Sequence, residues 1–140
     1  MTHRFAIGLA FSLALGGLCG VALRAQGGLT VTSGVFTADQ AKRGQTVYTS
    51  SCAKCHLEDL SGGKDSPPLK GDEFLSGWKG KTLGALFDEV RMTMPFDGPG
   101  TLMPEQYADV IAYILSSNMF PPGDKELAHE VPALDPIKIP

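Results

Sequence analysis

The sequence predicts an all-α domain of about three main helices joined by long loops. Apolar residues recur at helical spacing in three separate stretches. No run alternates apolar and polar residues over the length of a strand. Gly (17) and Pro (10) punctuate the intervening segments without a collagen-like period. At 140 residues, 43% hydrophobic and 19% charged, the chain has the size of one compact domain. A formal charge of −3 argues against a nucleic-acid surface built on clustered Lys and Arg. Three cysteines are too few for a disulfide scaffold.

The first element stands outside the domain. Met1-Thr2-His3-Arg4 is short and basic, and Phe5 to Leu23 follows without a charge, the pattern of a secretory signal over residues 1–25. Gly20-Val21-Ala22 is a small-x-small cleavage site, with Ala25 a second. The 19-residue uncharged run is also long enough for an uncleaved membrane anchor, although its four glycines weaken it for that task. Either way the remainder is exported. Cys19 lacks the Leu three residues earlier and the small preceding residue of a lipoprotein site, so it reads as an apolar residue of the signal.

Residues 26–36, rich in Gly, Ser and Thr, read as a flexible lead-in. The main domain is expected over 37–120. Thr37 and Gln40 fit a capping box opening a helix over about Ala38–Thr49, with Gly44, Val47, Tyr48 and Ser51 on one face. Leu57 to Lys81 reads as loop, anchored by Phe74, Leu75 and Trp78. A second helix starts near Thr82 on Leu83, Leu86, Phe87 and Val90 and stops before Pro95. Asp97-Gly98-Pro99-Gly100 is a turn. The third helix has Pro104 at its first position and Glu105 next, an apolar stripe from Tyr107 to Leu115, and Asn118 as its stop. Residues 121–140, proline-rich and without helical period, read as an extended surface tail pinned by Leu127, Leu134, Ile137 and Ile139.

Three short helices make a thin core for a chain of this length, so a further apolar body is expected in the middle. Cys52-Ala53-Lys54-Cys55-His56 supplies a reason. This is C-x-x-C-H, the c-type haem attachment sequence. Two thiols one helical turn apart can each add to a porphyrin vinyl group, and the adjacent His56 then serves as the proximal iron ligand. A redox dithiol would sit near a βαβ pattern, and a zinc site would need a second Cys pair; neither is present in the sequence. The expected cofactor is therefore one haem c, covalent through Cys52 and Cys55. Met94, followed by Pro95 in the loop after the second helix, is the expected sixth ligand, with Met103 and Met92 as alternatives.

With these pieces on the page, the chain from about Phe36 to Phe120 resembles class I cytochrome c. The resemblance rests on Gly44 and Tyr48 before the C-x-x-C-H run, Pro67-Pro68-Leu69, Trp78, Met94-Pro95 and a final helix with Tyr113. It implies that the first and last helices cross at Gly44 against Tyr113. It implies a loop proline carbonyl, assigned to Pro67, accepting the His56 ring N–H, and Trp78 steadying a haem propionate. The stretch from Met94 through Tyr113 and the Pro-Gly tail are similar to periplasmic cytochromes that serve quinoprotein dehydrogenases.

The function expected on this footing is one-electron transfer in the periplasm rather than enzyme catalysis. The electrons would pass between a dehydrogenase or membrane complex and a terminal acceptor. Partners would be redox proteins met transiently, with no nucleic acid, and with a membrane only if the first segment is uncleaved. Lys54, Lys79 and Lys81 would rim the docking face. Two alternatives remain open: a tethered electron-transfer subunit of a larger oxidoreductase, and a peroxidase-like enzyme with an open sixth site.

Overall fold

The computed structural model describes residues 28–140; the expected signal segment, Cys19 included, lies outside the described residues. Six helices follow one another: α1 (Ala38–Ser51), α2 (Ala53–His56), α3 (Gly71–Trp78), α4 (Leu83–Thr93), α5 (Pro104–Ser117) and α6 (Val131–Leu134). Among the described residues there is no strand, only isolated bridges. None of these helices is long and apolar enough to cross a membrane.

The three long helices begin and end near the residues read in the sequence. The Thr37 hydroxyl accepts the Gln40 backbone N–H (3.1 Å) at the start of α1. Thr82 does the same for Ala85 (3.0 Å) at the start of α4. Pro104 opens α5, and the Gln106 side chain accepts the Met103 N–H (2.9 Å). Asn118 closes α5, its N–H reaching Ile114 O at 3.1 Å.

α1 and α5 cross at Gly44. A methyl group there would overlap the Asp109 carbonyl and lie 3.0 Å from Tyr113 Cβ, so glycine alone permits this approach. Beside the crossing, the Tyr48 and Tyr113 rings sit 5.2 Å apart, tilted by 54°. Arg43 on α1 grips Asp109 on α5 through two bonds of 3.1 Å and reaches Glu126 at 2.9 Å. Those two carboxylates, Asp109 foremost, hold the guanidinium above its ordinary pKa.

Four sequence expectations need correction. Residues 57–81 are not loop throughout, because α3 forms within them: Asp72 and Glu73 favour its positive N-terminal end, and Phe74 buries one face. The Gln40 side chain does not complete a capping box. It is buried and exchanges two bonds with the Leu127 backbone, at 3.0 and 2.6 Å. Residues 26–36 are not a flexible lead-in where described: Val31–Ser33 forms a 3₁₀ turn, and Val31 and Phe36 are wholly buried.

The tail is the fourth correction. Leu127, Leu134, Ile137 and Ile139 are buried as expected, but α6 forms within it and its last residues run between two other segments. Lys138 N–H bonds Leu29 O (2.8 Å) and Val31 N–H bonds Lys138 O (3.0 Å) on one side. Ile139 N–H bonds Lys81 O (3.0 Å) and Leu83 N–H bonds Ile137 O (2.9 Å) on the other. Lead-in and tail thus supply core that the three helices lack.

Candidate functional site

The Cys52–His56 turn is made by the end of α1. Cys52 N–H closes on Tyr48 O (2.8 Å), and the Cys52 carbonyl then accepts from Cys55 (3.1 Å) and His56 (3.0 Å), starting α2. Two helical axes therefore meet at Cys52, and the thiols and imidazole project from one tight turn. Leu57 ends α2 at φ 61°, a conformation costly for a branched residue. The buried Tyr48 hydroxyl holds it there by donating to Leu57 O at 2.7 Å; burial raises the pKa of that phenol, keeping it a donor. Cys52 and Cys55 are both free thiols. Burial first, and Cys55 second, push the Cys52 thiol up to about 11, whereas Cys55 is exposed.

His56 is buried, and its Nδ1 lies 2.9 Å from Pro67 O. A neutral ring protonated at Nδ1 donates to that carbonyl and leaves Nε2 as a lone-pair donor. Nε2 has no partner among the described residues, and no buried polar atom there is left unsatisfied, so this nitrogen faces an opening. Gly62 makes the contact with Pro67 feasible. At φ 75° it lies so close to the Pro67-Pro68 backbone that a methyl group would come within 2.7 Å of Pro67 C and Pro68 N.

The far end of the loop is tied to α5. Asn118 donates to Leu69 O (3.0 Å) and accepts from Gly71 N–H (2.9 Å). Asn118 was legible in the sequence only as a helix stop, since its loop partners lie 47 and 49 residues away.

Met94 is the C-terminal cap of α4, its N–H bonded to Val90 O (2.9 Å). Its carbonyl accepts from the Tyr107 hydroxyl on α5 at 2.8 Å. Met92 and Met103 are 62% and 61% exposed and Met119 is 89% exposed, whereas Met94 is half-buried. Trp78 ends α3, tilted against Phe74 (6.5 Å), with Lys81 Nζ 4.6 Å from its ring centre. The site thus falls into three pieces: the Cys52–His56 turn with Pro67, the Met94 cap with Tyr107, and Trp78 with Lys81. No hydrogen bond or aromatic pair joins one piece to another among the described residues.

The model of the family described as "Cytochrome C oxidase, cbb3-type, subunit III" matches residues 39–114. The chain belongs to this family. It is a class I monohaem cytochrome c with a haem electron-transfer function and redox-protein partners. No curated protein matches it. Among solved structures it is similar to the sulfane dehydrogenase SoxCD from Paracoccus pantotrophus, with 21% identity over 96% of this chain and 69% of that one and a TM-score of 0.54. That likeness carries the fold, which this cytochrome c shares.

The family implies haem c, and the residues present fit it. Two unpaired thiols stand one turn apart. A buried imidazole has one nitrogen engaged and the other open. Large apolar side chains in or beside the candidate segments, Leu57 (44% exposed) and Phe96 (85%), remain uncovered by protein, as a flat apolar body beside them would require.

Proposed function

We propose that this protein is an exported, monohaem one-electron carrier working between a periplasmic dehydrogenase or membrane complex and a terminal acceptor. In this reading it is not itself an enzyme. Cys52 and Cys55 would hold the haem covalently, and His56 and Met94 would ligate its iron. When bound, haem c supplies a one-electron Fe(III)/Fe(II) couple.

The observation that carries the reading is the orientation of His56. Its ring is held at Nδ1 by the Pro67 carbonyl, with Nε2 left open. The carbonyl sets the tautomer and raises the basicity of Nε2 as a ligand. Met94 adds a soft thioether that favours the reduced state. Pro67 acts through His56, and Trp78, with Lys81 beside it, would steady a propionate. With His56 and Met94 both ligating the iron, no position on it would be left for substrate, and the peroxidase-like alternative would be disfavoured. Exposed Lys54, Lys79 and Lys81 give electron-transfer partners a positive rim to meet.

A second reading has its own support. The matched family is described as a subunit of an oxidase, so the domain would serve as a tethered subunit of a larger oxidoreductase. Co-purification with a large partner selects it over a free shuttle.

The test is the absorption spectrum of the haem-loaded protein beside Met94→Ala. The expected result is a low-spin c-type spectrum whose weak far-red sulfur-to-iron band disappears in the variant. A high-spin wild-type spectrum overturns His/Met ligation, and a band that survives in the variant moves the ligand to Met103 or Met92.

A further inference from the structure

We propose that Tyr107 is a positioning residue for the axial methionine, selecting Met94 among the chain's methionines and setting how firmly its thioether is presented. The inference rests on the reading of Met94 as an iron ligand. Its basis is the way the Met94 backbone is held at both ends. The N–H belongs to the last turn of α4 through Val90 O, and the carbonyl belongs to α5 through the Tyr107 hydroxyl, at 2.9 and 2.8 Å. Thus one residue is clamped between two helices while the neighbouring backbone turns away into the Pro95–Thr101 loop.

The clamp itself has little freedom. Tyr107 is 1% exposed, so its ring cannot swing away from the bond. Phe87 on α4 meets that ring edge-on, with centroids 6.4 Å apart and planes at 79°. The hydroxyl therefore sits at a point determined by packing, where it meets the Met94 carbonyl. Met92, Met103 and Met119 show no side-chain bond to their carbonyls and are largely exposed. A flexible thioether makes a good ligand only when its backbone is held, because its three rotatable bonds otherwise resist ordering. Tyr107 provides that hold without touching the iron. Removal of outer-shell partners of metal ligands elsewhere costs about 10–100-fold in metal affinity; with one bond of two lost at a backbone atom, the lower end of that range applies here.

The experiment uses the ferric haem-loaded protein titrated with imidazole, which competes with Met94 for the sixth position. Tyr107→Phe keeps the ring and its contact with Phe87 and deletes only the hydroxyl. The expected result is imidazole binding about 10-fold tighter than in wild type, together with faster amide exchange at Met94. Val110→Ala, a buried truncation on the same helix, serves as the matched control for plain destabilisation and is expected to leave imidazole affinity within about twofold. If Tyr107→Phe also stays within twofold, or if Val110→Ala tightens imidazole binding as much, Tyr107 has no positioning role. Met94→Ala separates the two readings: a far-red band that persists in that variant removes the ligand assignment itself, whereas a lost band with unchanged Tyr107→Phe titration removes only the clamp.

Discussion

Gly44 and the Asp109 carbonyl occupy the same surface of two crossing helices, so a single methyl group has nowhere to go. The clash is with backbone, which cannot rotate aside as a side-chain tip would. Gly44→Ala is therefore expected to destabilise the haem-loaded protein by roughly 3 kcal/mol, the upper part of the range for overpacking. Urea unfolding checks this through a lowered midpoint at unchanged slope. A loss below about 1 kcal/mol would mean that α5 slides easily over α1. Gly44 was legible in the sequence because a glycine on an otherwise well-formed helical face needs a reason. The Cys52–His56 turn was legible because attachment chemistry dictates its spacing. Tyr107 was not: its place in the α5 stripe explains its burial, and nothing local hints that its hydroxyl meets a carbonyl 13 residues back.

At the scale of elements, Asn118 joins two jobs that sequence patterns separate. It stops α5, and its amide then bridges Leu69 O and Gly71 N–H, so the helix end sets the far end of the loop that carries Pro67. Asn118→Ala leaves a carbonyl and an N–H without these partners, one of them at the start of α3. Because the group is only half-buried, water recovers part of the loss, and the expected cost is about 1–2 kcal/mol. Thermal or urea unfolding measures that cost, and amide exchange at Gly71 should quicken. A fully stable variant with unchanged exchange would show the loop held by Leu60, which accepts the Leu69 N–H at 2.9 Å. Helices α1, α4 and α5 could be read from periodicity and caps because those signals are local. Helix α3 could not. Its eight residues include two glycines between polar flanks, and its stability comes from Phe74 and Trp78 packing onto the domain.

The molecule as a whole is organised by a contrast between its two ends of sequence. Residues 26–96 carry eight basic and eight acidic side chains, and residues 97–140 carry two and seven, so the acidic part is centred on α5 and the tail. That separation favours oriented approach of charged partners. The acidic segment is nevertheless structural. Its Glu126 reaches Arg43, its Leu127 backbone pairs with the buried Gln40 amide, and its final residues run between Leu29–Val31 and Lys81–Leu83. Leu127, Leu134, Ile137 and Ile139 are each buried to 5% exposure or less. At roughly 1.5–3 kcal/mol apiece these four alone contribute about 6–12 kcal/mol, comparable with the whole stability of a small domain, about 5–15 kcal/mol. Deleting residues 121–140 is therefore expected to prevent a cooperative fold, read as loss of a sigmoidal urea transition in the haem-loaded protein. Ile139→Ala, with the segment otherwise intact, is expected to cost about 2–4 kcal/mol. A truncated chain that still unfolds cooperatively near the full-length midpoint would instead mark the tail as a separable strap. The packing argues otherwise, because the same residues that a strap would lift away are the ones closing the core over Leu83 and Val31.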